Sequence, residues 1–146
     1  MKKLTIILGM SLFIAAAPVT SQAQRYHLLN KLPIASSGGW DYIALSPVND
    51  NVYVAHGTHV NILNRNTGDS TGIIKGTDGV HGVAFAPEFK KGFTSNGKLN
   101  TVTVFDISTN RVTGTIKTGE KPDAIIYDPF SKRIYVCNGK SKDLTV

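Results

Sequence analysis

Cysteine is nearly absent from this chain of 146 residues: Cys137 stands alone. No intrachain disulfide can form, so the fold must hold by packing. Cys137 itself lies in an apolar strand pattern, which predicts a small buried residue. Glutamate is scarce too. Glu88 and Glu120 are the only two, and the repeat described below puts them on opposite faces, which excludes paired-glutamate acid–base chemistry. The chain has no Ser-containing nucleophile elbow and no helix-borne His pair. The stretch SSGGW at 36–40 has no helical pattern behind it, so it is not a phosphate loop. Beyond the N-terminal leader no stretch has a helical period, or the length and caps of a helix. No apolar run reaches the roughly 20 residues that a membrane-spanning helix needs.

What is present begins with an export signal. Lys2 and Lys3 form a positive start, and 4–17 is an uncharged run of Leu, Ile, Phe and Ala that Pro18 ends. Ser21-Gln22-Ala23 then offers small residues at the two positions a signal peptidase reads. These features predict a signal peptide over 1–23, cleaved before Gln24, and a periplasmic or secreted mature protein. No cysteine follows the apolar run, which argues against a lipid anchor. The formal charge of +6 falls by two when Lys2 and Lys3 leave. A balance so mild does not by itself imply nucleic acid.

The rest of the chain repeats itself. WDYIALSPVNDNVYVAHG (40–57), VHGVAFAPEFKKGFTSNG (80–97) and PDAIIYDPFSKRIYVCNG (122–139) align. Pro47, Pro87 and Pro129 coincide, as do Tyr53, Phe93 and Tyr135, and Gly57, Gly97 and Gly139. Each unit predicts four short strands. Strand A is nearly all apolar (42–45, 83–85, 124–127), as a strand buried on both faces should be. Strand B (52–55, 92–95, 134–137) ends at the shared Gly. Strand C covers 60–63 and 101–107, and strand D covers 70–75 and 111–117. The turn between them puts Gly68 or Asn110 where a positive φ is cheapest. Strand D, rich in Thr and Lys, suits an outer edge. Apolar first and polar last describes a propeller blade. A sandwich would not need so regular a unit. The expected architecture is an all-β propeller of four-stranded blades: blade 1 over 38–79, blade 2 over 80–119 and a partial blade 3 over 120–146. Two complete units and half of a third fall short of the roughly 4–8 blades of closed propellers. An open array is marginal at best, so the sequence reads as the front part of a longer protein. The apolar residues of YHLLNKLPI (26–34) predict that segment 24–37 is a strand completing the last blade.

The blocks YVAHG, FTSNG and YVCNG, with TVTVFDISTNRVTGTIKTGEKPDAIIYDP among them, resemble the YVTN-type propeller repeat. Over 40–146 the chain is similar to YncE-like exported propeller proteins. The first unit departs by a shorter loop after strand B, and the second has His81 where its neighbours have Asp. The resemblance implies a parent of about seven blades, and single-stranded DNA binding as a family property.

Blade topology sorts residues by face. The D-to-A and B-to-C connections lie on one face, the A-to-B and C-to-D turns on the other. Trp40, Asp41, His56, His59, His81, Asn96, Asp123 and Asn138 fall on the first and form the candidate ligand-binding set. Asp41, His81 and Asp123 open strand A, so they are expected to ring the channel mouth. His and Asp are ordinary N and O ligands, so a metal could sit there, although the sequence points to no particular cofactor. The opposing reading makes these polar residues partners of loop backbone, as Asp and Asn often are. His56 aligns with Asn96 and Asn138, which favours that reading for it. Lys90, Lys91, Lys132 and Arg133 belong to one face and Lys98, Lys140 and Lys142 to the other, so no single basic stripe is expected. The reading that follows is a non-catalytic binding scaffold for a protein, polymer or small ligand at the axial face. The alternatives are a propeller enzyme, lactonase-like or redox-associated, and a single-stranded DNA binder. Fold does not decide among them.

Overall fold

The computed structural model describes residues 26–146. The leader expected over 1–23 lies outside the described residues. Residues through Lys31 and the stretch from Leu32 to Val146 are separate units. Of the first, Tyr26 to Lys31 is exposed coil. The second unit is all-β, with no α-helix among the described residues. No helix there is long and apolar enough to cross a membrane.

Among the described residues, eleven strands make three antiparallel sheets. Blade 1 is β1 (Trp40–Leu45), β2 (Asn51–His56), β3 (His59–Asn64) and β4 (Ser70–Lys75), paired in chain order. Blade 2 repeats this with β5 (Val80–Ala86), β6 (Lys91–Asn96), β7 (Thr101–Asp106) and β8 (Val112–Lys117). Blade 3 has β9 (Pro122–Asp128), β10 (Arg133–Asn138) and β11 (Asp143–Thr145). The sheets fall within the three repeat units read from sequence and do not close into a ring. In blade 2 the Pro-containing turn after strand A is one 3-10 turn, Pro87–Phe89. Gly68 and Asn110 have φ of 80° and 58°, as their turns require. Lys90, Lys121, Lys132 and Lys142 also take positive φ.

The core lies between blades. Tyr53, Ala55, Val60, Ile62 and Ile74 of blade 1 pack on Val80 and Phe105 of blade 2, with Val83 and Phe85 beside them. One blade further on, Phe93, Val102 and Val104 pack on Val136, with Ile125, Tyr127 and Ile134 beside them. A buried side chain of this size stabilises by about 1.5–3 kcal/mol. Gly92 is part of this packing, because a Cβ there would lie 2.0 Å from Phe105 Cζ. The Tyr53 hydroxyl donates to Asn110 Oδ1 at 2.7 Å and ties blade 1 to blade 2.

Two expectations are corrected. Strand A is buried on both sides only in blade 2. Ile43 and Leu45 of β1 are 67% and 58% exposed, while their equivalents Val83 and Phe85 pack against the first cluster. An apolar strand is buried only where sheets flank it, and among the described residues none covers that side of β1. Cys137 is exposed, not buried, for the same reason. Its equivalents Ala55 and Ser95 are covered by the next blade, and nothing described covers blade 3. Residues 26–39 form no strand. Leu32 instead lies over the β3–β4 turn, its Cδ2 3.0 Å from where Gly68 would carry a Cβ.

Candidate functional site

Each strand A carries the same irregularity. Trp40 pairs with His56 and Ile43 with Val54, so Asp41 and Tyr42 together oppose Ala55. His81 and Gly82 likewise oppose Ser95, and Asp123 and Ala124 oppose Cys137. Two residues opposite one make a bulge, which bends the strand and re-aims its side chains. The re-aimed residues here are Asp41, His81 and Asp123. His81 Nδ1 lies 2.7 Å from Asp41 Oδ2 and 4.0 Å from Asp123 Oδ1. Three blades thus bring one repeat position to one place, and all three side chains are reachable by solvent. Ser95 holds the second bulge open: its Oγ accepts from the Gly82 N–H at 3.0 Å and donates to the Asp123 carbonyl. Gly97 completes the seat for the imidazole. A Cβ there would come within 2.8 Å of His81 Nε2.

The remaining candidates do not join this cluster. Asn96 and Asn138 are buried and lock their own hairpins. Asn96 Nδ2 donates to Thr101 Oγ1 at 3.2 Å and Thr103 Oγ1 at 2.8 Å. Asn138 Nδ2 donates to Asp143 Oδ1 at 2.6 Å and Thr145 Oγ1 at 2.7 Å. Their amide nitrogens reach side chains of strand C, and Asn96 Oδ1 accepts from Thr94 Oγ1 of strand B, rather than the loop backbone that the opposing reading proposed. At the same position of blade 1 stands His56, 1% exposed. The two-residue turn Gly57-Thr58 sets His56 opposite His59, with His56 Nδ1 and His59 Nε2 3.0 Å apart. Trp40 lies against His56, ring centroids 4.1 Å apart. Sequence reasoning missed Ser36, whose Oγ is 3.2 Å from His56 Nδ1 and 3.4 Å from His59 Nε2. It lies outside the repeat, so no alignment of units could find it. Burial, with the nearby His56 and Lys75, holds the His59 pKa below the ordinary imidazole value.

Lys98 and Lys140, which the repeat puts on one face, share a cleft. Lys98, Lys121 and Lys140 line one cleft of about 450 Å3 with His81, Asn100 and Glu120. Lys140 Nζ is 2.7 Å from Glu120 Oε2 there. Lys121, which the sequence reading did not name, belongs to the D-to-A connection of that same face. On the opposite face the Tyr127 hydroxyl donates to Glu88. Burial and that carboxylate push the Tyr127 pKa up to about 12. Among the described residues, no three His, Cys, Asp or Glu side chains are grouped so as to hold a metal ion.

No family model matches this chain, and no curated protein matches it. Among solved structures, hydrazine synthase of Kuenenia stuttgartiensis is similar, with a TM-score of 0.64 at 21% identity. The match covers 77% of this chain and 32% of that one, so the chain spans about a third of its length. At that identity the likeness carries the fold alone, and hydrazine synthase is a β-propeller-containing protein. The described residues are accordingly an unclosed run of propeller blades.

Proposed function

We propose that this chain belongs to an exported propeller of the YVTN-repeat, YncE-like kind and acts as a non-catalytic binding scaffold through its axial face. The observation that carries the reading is the meeting of Asp41, His81 and Asp123, one from each blade, at 2.7 and 4.0 Å. A repeat position that converges on the axis makes a polar rim, and such a rim with solvent access suits a ligand that bridges blades. His81 is partnered by carboxylates, not by a hydroxyl or thiol that it could activate, which favours binding over nucleophilic catalysis. The export reading rests on the leader sequence at 1–23. The family reading rests on the shared Pro, aromatic and Gly landmarks.

Thermal-shift screening of the purified protein against polar small molecules and polymers tests this. A ligand that stabilises the native chain and fails on Asp41→Asn, His81→Gln and Asp123→Asn supports the scaffold. Lactone turnover, or a stoichiometric metal, that those substitutions abolish contradicts it and favours the enzyme. A polyanion such as single-stranded DNA is a second reading, favoured by the cleft of Lys98, Lys121 and Lys140. Its signature is oligonucleotide binding that weakens steeply with salt.

A further inference from the structure

We propose that blade 1 carries a site for one divalent transition-metal cation, built from His56 Nδ1, His59 Nε2 and Ser36 Oγ at the end of the β2–β3 hairpin. This site is separate from the axial rim and does not depend on it.

The three donor atoms form a triangle with edges of 3.0, 3.2 and 3.4 Å. A tetrahedral cation with bonds of about 2.0–2.1 Å spaces its ligand atoms about 3.3 Å apart. The triangle therefore has the size of one face of such a polyhedron, with the fourth position left to water. Imidazole pairs suit Zn2+, Cu2+ and Ni2+ rather than Ca2+ or Mg2+. The far nitrogen of His59 already has a partner, since Nδ1 lies 3.2 Å from Thr58 Oγ1. Such a contact fixes the tautomer of a ligating imidazole; His56 Nε2 has no equivalent partner.

The repeat supplies an independent argument. Blades 2 and 3 close this corner with an Asn whose amide reaches two side chains of strand C. Blade 1 has replaced that lock, and the replacement does not satisfy itself. His56 Nε2 is buried without a hydrogen-bond partner. So is Nδ2 of Asn61, the residue that stands where Thr103 and Thr145 take the Asn bond. As a hairpin lock the His corner leaves two buried side-chain atoms unpartnered, where blade 3 leaves one, Asn138 Oδ1, and the Asn96 lock of blade 2 leaves none. As a pair of ligands it is better, because an imidazole nitrogen can offer a lone pair that an amide nitrogen does not. Trp40 covers one side of His56. Gly38 lets the 35–39 segment lie close, since a Cβ there would be 3.0 Å from His56 Nε2. A cation held by Ser36 and both rings would pin this segment to blade 1.

Zn2+ calorimetry on the purified protein, with Co2+ visible absorption to read tetrahedral coordination, tests the site. One Zn2+ per chain is expected. The combined His56→Asn and His59→Thr substitutions rebuild the Asn96–Thr101 pair with which blade 2 folds, and should weaken Zn2+ binding at least tenfold. His59→Thr alone serves if the double variant does not fold. Asp41→Asn with Asp123→Asn should leave Zn2+ binding unchanged. Absence of binding by the native chain overturns the site. So does an affinity that survives loss of the imidazoles, or one that disappears with the axial carboxylates.

Discussion

Asp41 Oδ2 and His81 Nδ1 lie 2.7 Å apart although 40 residues separate them in the chain. They occupy one repeat position in adjacent blades, and the bulge at the start of each strand A brings the two side chains together. Both side chains are partly exposed, so their attraction is modest. Asp41→Ala should cost about 0.2–1 kcal/mol. Urea unfolding at low and high salt checks this. A loss that shrinks as salt rises marks an ion pair, and a loss indifferent to salt marks a hydrogen bond to a neutral ring or a packing contact.

Gly97 separates stability from site geometry. A Cβ would meet His81 Nε2 at 2.8 Å, and the imidazole is the end of a side chain that can swing away. Gly97→Ala should therefore displace His81 from Asp41 at a small cost in melting temperature, that cost coming from the Pro122 carbonyl oxygen 3.2 Å from the Cβ position. The His81 ring resonances in NMR read that displacement directly, and an unmoved ring with a large loss of stability would contradict it.

Gly92 is the opposite case. Its missing side chain is filled by the Phe105 ring, 2.0 Å from the Cβ position, and Phe105 is fully buried between blades. Gly92→Ala should destabilise by about 1–3 kcal/mol through overpacking. Adding Phe105→Leu should recover part of that loss relative to the sum of the two single changes. Strict additivity in denaturant melts argues that the two residues do not touch.

Protonation of His59 should weaken the fold. Its folded pKa lies below the ordinary imidazole value of about 6.5, first through burial and then through His56 and Lys75. The unfolded chain therefore takes the proton more readily. The contribution of His59 is intact above pH 6.5 and is lost as pH falls through that value toward the lowered folded pKa. Urea melts at about pH 7.5 and 5.5 should show a smaller drop for His59→Thr than for the native chain. Equal drops would assign the acid sensitivity to other groups.

The period of the repeat made the strands legible. Apolar strand A, the Gly after strand B and the Asn or Gly turns were enough to place all three sheets, since each landmark has a local cause. Burial was less legible. Cys137 and Ile43 look like core residues in a pattern, yet burial depends on which blade stands beside them. Asp41, His81 and Asp123 could be grouped in advance because alignment alone equates them. The facing of His56 and His59 was also within reach, because a two-residue turn sets the flanking residues opposite each other. Ser36 was not, because contacts between a repeat and a non-repeating segment leave no period to read.

A crystal structure of the purified protein tests the convergence of the repeat on its axis most directly. The expected result is His81 seated against Gly97 with its Nδ1 bonded to Asp41 and Asp123 close by. First strands that do not share an axis, with these three side chains pointing to separate surfaces, would contradict it.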